Sequence, residues 1–153
     1  MIEIIFVFAI AFFTIVACEE ASLNKEYNIV DFSSDHARQV WDSTSTANQL
    51  QGSWQWVYSE CCVEGTLGGV DRTGEEFIVR IDLTTIQVYQ KNELVKSTDW
   101  FLEIEDGNYY GINTQSYISE IRGRILFSGN RILFQNSYID GADNYFVRHT
   151  VKD

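Results

Sequence analysis

The chain has no proline, one methionine, two histidines and three cysteines in 153 residues. Without proline, rigid polyproline spacers and proline-kinked helices are excluded, and reversals must rest on glycine, asparagine and aspartate. His36 and His149 are the only histidines, so the adjacent Cys61 and Cys62 have too few partners for a zinc site; no metal and no cofactor is expected. Neighbouring cysteines also pair poorly as a disulfide, which leaves Cys61 and Cys62 as small thiols in a loop. Basic residues are scarce, 11 Lys and Arg against 22 Asp and Glu, for a net charge of −11. That balance argues against nucleic acid as a partner and against side-chain attraction to anionic lipid. No block of like charges stands out, so the acidic excess reads as a solvated exterior. The Gly-x-Ser-x-Gly nucleophile elbow and phosphate-binding loops are absent as well. Glu103 and Glu105 alternate with Trp100, Leu102 and Ile104. If the apolar set faces inward, both carboxylates face water, and an enzyme is not expected.

What the chain does have begins with an apolar run, Ile4 to Ala17, interrupted only by Thr14 and closed by Ile15-Val16-Ala17-Cys18. The run is short of the roughly 20 residues a spanning helix needs and matches a signal-peptide core, although no lysine or arginine precedes it. Residues 1–17 are therefore expected to be removed and Cys18 to be lipidated at a bacterial lipobox, tethering the chain to the membrane. An uncleaved anchor or a buried apolar strand is the alternative. Residues 19–33 read as a polar tether. Ser34 reads as the N-cap of a short helical stretch, so that residues 18–47 form tether and helix and residues 48–153 the folded domain.

From residue 51 onward nearly everything alternates. Residues 51–58 place Trp54, Trp56 and Tyr58 on one face; residues 75–83 place Phe77, Val79, Ile81 and Leu83 on one face. Ile86 and Val88 continue the pattern to a turn at Lys91-Asn92-Glu93, and Trp100, Leu102 and Ile104 share a face up to Asp106-Gly107. Further strands are expected at residues 109–112, 117–122, 124–127, 131–135 and 144–151. Eight or nine short strands with frequent turns, and aromatics at 14%, predict an all-β antiparallel meander, as a barrel or a sandwich.

The segment Leu50-Gln51-Gly52-Ser53-Trp54-Gln55-Trp56-Val57 resembles the first strand of lipocalin-fold barrels, which carry Gly-x-Trp after a short helix. The glycine admits the chain to the barrel floor and the indole plugs it. Lipocalins place a cation from the last strand over that ring, and Arg148 in Tyr145-Phe146-Val147-Arg148 stands at the corresponding position. More closely, residues 48–151 are similar to short lipocalin-like lipoproteins of Bacteroidota-type bacteria. The resemblance implies an eight-stranded up-and-down β-barrel in the bacterial cell envelope, on an outer-membrane anchor and facing periplasm or exterior. Glu19-Glu20 resembles their acidic surface-export signal, and Asp42-Ser43-Thr44 their O-glycosylation acceptor. Cys61-Cys62 departs from the glycine-rich loop of those relatives.

Two functions follow. The barrel binds or carries a small hydrophobic ligand, lined by Phe77, Trp100, Tyr109, Tyr117, Phe127 and Phe134. Alternatively, those rings fill the interior, and the domain is a non-enzymatic envelope platform contacting an unidentified protein through residues 59–74 and 136–144.

Overall fold

The computed structural model describes residues 27–61 and 69–150. The expected signal peptide, the lipidation residue Cys18, residues 19–26 of the tether, and Cys62 lie outside the described residues.

Two helices precede the strands. Helix α1 (Ile29–His36) starts at Asn28, whose side chain accepts from the Val30 N–H at 2.9 Å. Helix α2 (Ser43–Leu50) starts at Asp42 with a reciprocal capping box to Ser45. Each cap satisfies an N–H group that the first turn leaves without an intrahelical partner. The structure corrects two expectations. Residues 29–33 are helical and not tether, and Ser34 lies inside α1 instead of capping it. Phe32 and His36, one turn apart, are the residues α1 buries, a stripe too narrow to stand out among its polar neighbours.

The strands are β1 (Gly52–Cys61), β2 (Gly69–Asp71), β3 (Phe77–Ile81), β4 (Thr85–Gln90), β5 (Glu93–Asp106), β6 (Tyr109–Thr114), β7 (Arg124–Ser128), β8 (Arg131–Gln135) and β9 (Ala142–Arg148). Their order is β6-β5-β4-β3-β1-β9-β8-β7, every neighbouring pair antiparallel, with β2 attached to β1 off this path. The result is a nearly closed eight-stranded antiparallel barrel, with β6 and β7 as the two ends of the path. The β4–β5 hairpin turns on Lys91 and Asn92, both at positive φ, which matches the strand twist.

Three local expectations change. Residues 117–122 are a loop containing a 3-10 turn at Ser119–Ile121, and Ile118 and Ile121 turn inward to join the core. Leu83 is 76% exposed, because the Asp82 carboxylate accepts from the N–H groups of Thr84 and Thr85 and ends the strand. Tyr58 does not share the face of Trp54 and Trp56: the β1–β9 register shifts between Trp56 and Tyr58, and this bulge turns Tyr58 to the other side.

Two buried clusters follow from that bulge. Inside the barrel lie Trp54, Trp56, Phe77, Val79, Phe134 and Phe146 with their aliphatic neighbours. Outside it, Phe32 of α1 packs with Val57, Tyr58, Leu126, Leu133 and Tyr145. Strands β7 and β8 are thus covered on both faces, which explains their continuous apolar runs Ile125-Leu126-Phe127 and Ile132-Leu133-Phe134.

Candidate functional site

The three residues of the Gly-x-Trp/Arg pattern meet at one end of the barrel. Trp54 is opposite Arg148 in the β1–β9 ladder, and the guanidinium carbon stands 3.8 Å from the indole centroid. Arg148 donates to the carbonyl of Gln51 and, at 3.0 Å, to that of Gln49, while Trp54 Nε1 donates to the Leu50 carbonyl at 2.6 Å. The side chains therefore satisfy the carbonyls where α2 passes into β1. Gly52 has φ of 120°, and a Cβ there would collide with the Arg148 guanidinium. Burial pulls the Arg148 pKa down from its ordinary value.

The six aromatic candidates for a cavity lining do not surround one space. Phe77 and Phe134 are buried inside, in edge contacts with Trp56 at 5.4 Å and Phe146 at 5.5 Å. Phe127 is also in the inner cluster, at the β7 edge. Trp100 packs against the cluster from a partly buried position, its Nε1 donating to the Asp82 carbonyl. Tyr117 is 67% exposed. Tyr109 belongs to the outer cluster, because the β5–β6 register gives the inward position opposite Ile104 to Tyr110. Ile118 and Ile121 join the same inner cluster, so the described inward side chains pack against one another.

A concave space lies instead at the barrel rim. A half-open groove of about 660 Å³ is lined by His36, Trp41, Ile104, Asp106, Tyr109 and Tyr110, with Val40 and Asn108 at its border. Its wall is built across the β6/β7 gap. Ser128 and Arg131 close the β7–β8 hairpin, so the Phe127 N–H faces away from β8, toward β6. No β6 residue pairs with β7 among the described residues; His36 Nδ1 accepts from the Phe127 N–H at 3.2 Å instead. The imidazole is stacked between Trp41 at 5.2 Å and Tyr109 at 5.6 Å, and Trp41 lies 4.6 Å from Phe127. Trp41 Nε1 donates to the His36 carbonyl at 3.0 Å, holding the α1–α2 linker over the gap. Burial pulls the His36 pKa down to about 4, so the ring is neutral at neutral pH.

Below this stack a polar cluster bridges the same gap. Arg124 of β7 pairs with Asp106 of β5, lies 4.0 Å over the Tyr138 ring and 5.3 Å from that of Tyr109. The Tyr138 hydroxyl donates to Glu105 at 2.7 Å; burial and that bond push its pKa up to about 12. Elsewhere, Glu103 accepts from Asn113. Glu103 and Glu105 thus lie on the outer side of β5, engaged in structural contacts.

His36 and Trp41 are the residues that sequence reasoning missed. Both fall within residues 18–47, expected as tether and helix, and no local spacing signals their approach to Phe127, 91 residues from His36 along the chain. Among the described residues no group of three or more His, Cys, Asp or Glu is placed to hold a metal, and no helix is long and apolar enough to cross a membrane. No protein-family profile, curated protein or solved structure matches this chain.

Proposed function

We propose that this chain is a bacterial envelope lipoprotein, anchored through Cys18, whose barrel binds a small hydrophobic ligand at its rim and performs no catalysis. The observation that carries the binding reading is the groove of about 660 Å³ with Trp41, Ile104, Tyr109 and Tyr110 on its walls. Sites for small ligands are concave, mainly apolar, and carry a few fixed polar groups, and the size falls within their usual range. The lipocalin resemblance rests on Gly52, Trp54 and Arg148 and supports the architecture; the ligand position differs from an interior cavity because the described inward side chains pack against one another. The lipobox Ile15-Val16-Ala17-Cys18 supports the anchor, since two acyl chains hold a protein at a bilayer far more firmly than one.

Native mass spectrometry of the full chain released from micelles tests both parts. A diacylglyceryl mass on Cys18, lost in Cys18→Ala, is the outcome expected for the anchor. A second mass that leaves on denaturation and is missing from Trp41→Ala is the outcome expected for the groove. A bare polypeptide, repeated after incubation with apolar metabolites, sinks the ligand reading. That result would favour the second reading, a solid platform, for which the packed inner cluster is the specific support.

A further inference from the structure

We infer that the groove selects an uncharged, planar apolar molecule carrying a hydrogen-bond acceptor, with the His36 Nε2–H as the donor that recognises it. This rests on the groove being a ligand site, as proposed above.

The argument starts from the tautomer. An imidazole nitrogen that accepts from a backbone N–H holds no proton, so the bond from Phe127 to Nδ1 puts the ring proton on Nε2. Among the described residues Nε2 has no hydrogen-bond partner, and it is not among the buried unpartnered polar atoms. As His36 is itself only 8% exposed and lines the groove, the groove is where that N–H remains accessible. A neutral histidine usually offers a ligand either a donor or an acceptor; here the fold has spent the acceptor, and only the donor is left.

Shape and charge narrow the class further. Trp41, His36 and Tyr109 are near-parallel, with interplanar angles of 8° and 20°, which leaves flat aromatic faces and edges at the wall beside the donor. Flat rings pack against such a wall with the least loss of contact. The charged group on the lining is Asp106, and its partner Arg124 already serves Asp106 and stacks on Tyr138. The chain as a whole carries −11. A carboxylate would accept from Nε2–H but meets this field without a free cation on the groove lining, so a ketone, ester or amide fits better. A cation would be drawn to Asp106 but has nothing to offer a donor.

The test uses three probes of one shape, acetylnaphthalene, isopropenylnaphthalene and naphthoate, on the full chain in phosphatidylcholine vesicles, with protein-free vesicles as the partition blank. Solid-state NMR of protein labelled with nitrogen-15 at histidine reads both rings, and His149→Gln assigns them. The expected result is an Nε2–H tautomer for His36, saturable movement of its Nε2 signal by acetylnaphthalene, and isopropenylnaphthalene binding about fivefold more weakly without moving it. Naphthoate should bind more weakly than acetylnaphthalene. Equal binding of the ketone and the alkene, tightest binding of naphthoate, or an Nδ1–H tautomer overturns the inference while leaving the groove as a site. Failure of all three probes to bind removes the groove reading and the inference with it.

Discussion

The barrel wall is closed in two different ways. Between β1 and β9 it is a backbone ladder from Trp54↔Arg148 to Cys61↔Ala142, stepped once by the bulge at Val57 and sealed at its end by a guanidinium lying on an indole. Between β6 and β7 there is no ladder; a helix-borne imidazole takes one edge N–H, and stacked rings with the Arg124–Asp106 pair bridge the remainder. A ladder spreads its hydrogen bonds over many residues and makes each one cheap to lose. A side-chain seal concentrates them, leaving a concave surface beside it and a dependence on single groups. The groove lies at the second closure.

The largest effect separating the two should come from the floor. Trp54→Ala removes a fully buried indole and its bond to Leu50 and is expected to lower stability by about 3–5 kcal/mol in urea unfolding. Arg148→Met keeps an apolar stem over the ring but orphans the Gln49 and Gln51 carbonyls, for about 2–3 kcal/mol. A double-mutant cycle on the pair should show coupling of about 1 kcal/mol or more. Additive losses would mean that the floor is packing alone and that the cation contributes nothing through the ring.

These two closures differ in how far the sequence discloses them. The strand meander was readable because period-two alternation is local, and the Gly52–Trp54 spacing marks the floor within three residues. The extra residue at Val57 was not, because a bulge is decided by which face β9 offers, and Tyr58 had an apolar place on either side. Ile118 and Ile121 mimic strand alternation yet plug the core from a loop. His36 and Trp41 gave no sign at all: their role depends on Phe127 having a free N–H, which follows only from where β8 pairs.

The seal at β6/β7 predicts a pH dependence that the floor lacks. His36 titrates near 6.5 when unfolded and near 4 when folded, so the folded state disfavours the charged ring. Its contribution is full above pH 6.5 and is lost as pH falls toward 4, because there the unfolded chain binds the proton first. With solvent screening from the half-open groove, the loss should be about 2 kcal/mol. Asp35 and Asp106 also lie around this region, so the signal is the difference between the wild type and His36→Phe across the same range. An identical pH slope in both proteins would show that the imidazole is not held neutral by the fold. At neutral pH, His36→Phe keeps an aromatic ring but leaves the Phe127 N–H without its acceptor, for about 1–2 kcal/mol. Hydrogen exchange should localise that loss: the Phe127 amide should exchange faster, while Gln55 and Val147 amides in the ladder keep their relative protection.

The smallest expected effect is the one that defines what kind of seal this is. Asp106 is half exposed at 51%, and ion pairs with an exposed partner contribute little after desolvation, side-chain ordering and screening are counted. Arg124, at 21%, is held also by the faces of Tyr138 and Tyr109, which do not depend on Asp106. Asp106→Asn should therefore cost less than about 1 kcal/mol and leave the Phe127 amide protected. A loss above about 2 kcal/mol, falling with added salt, would mean that charge and not aromatic stacking holds β6 against β7. The groove wall would then depend on ionic strength, as the ladder between β1 and β9 would not.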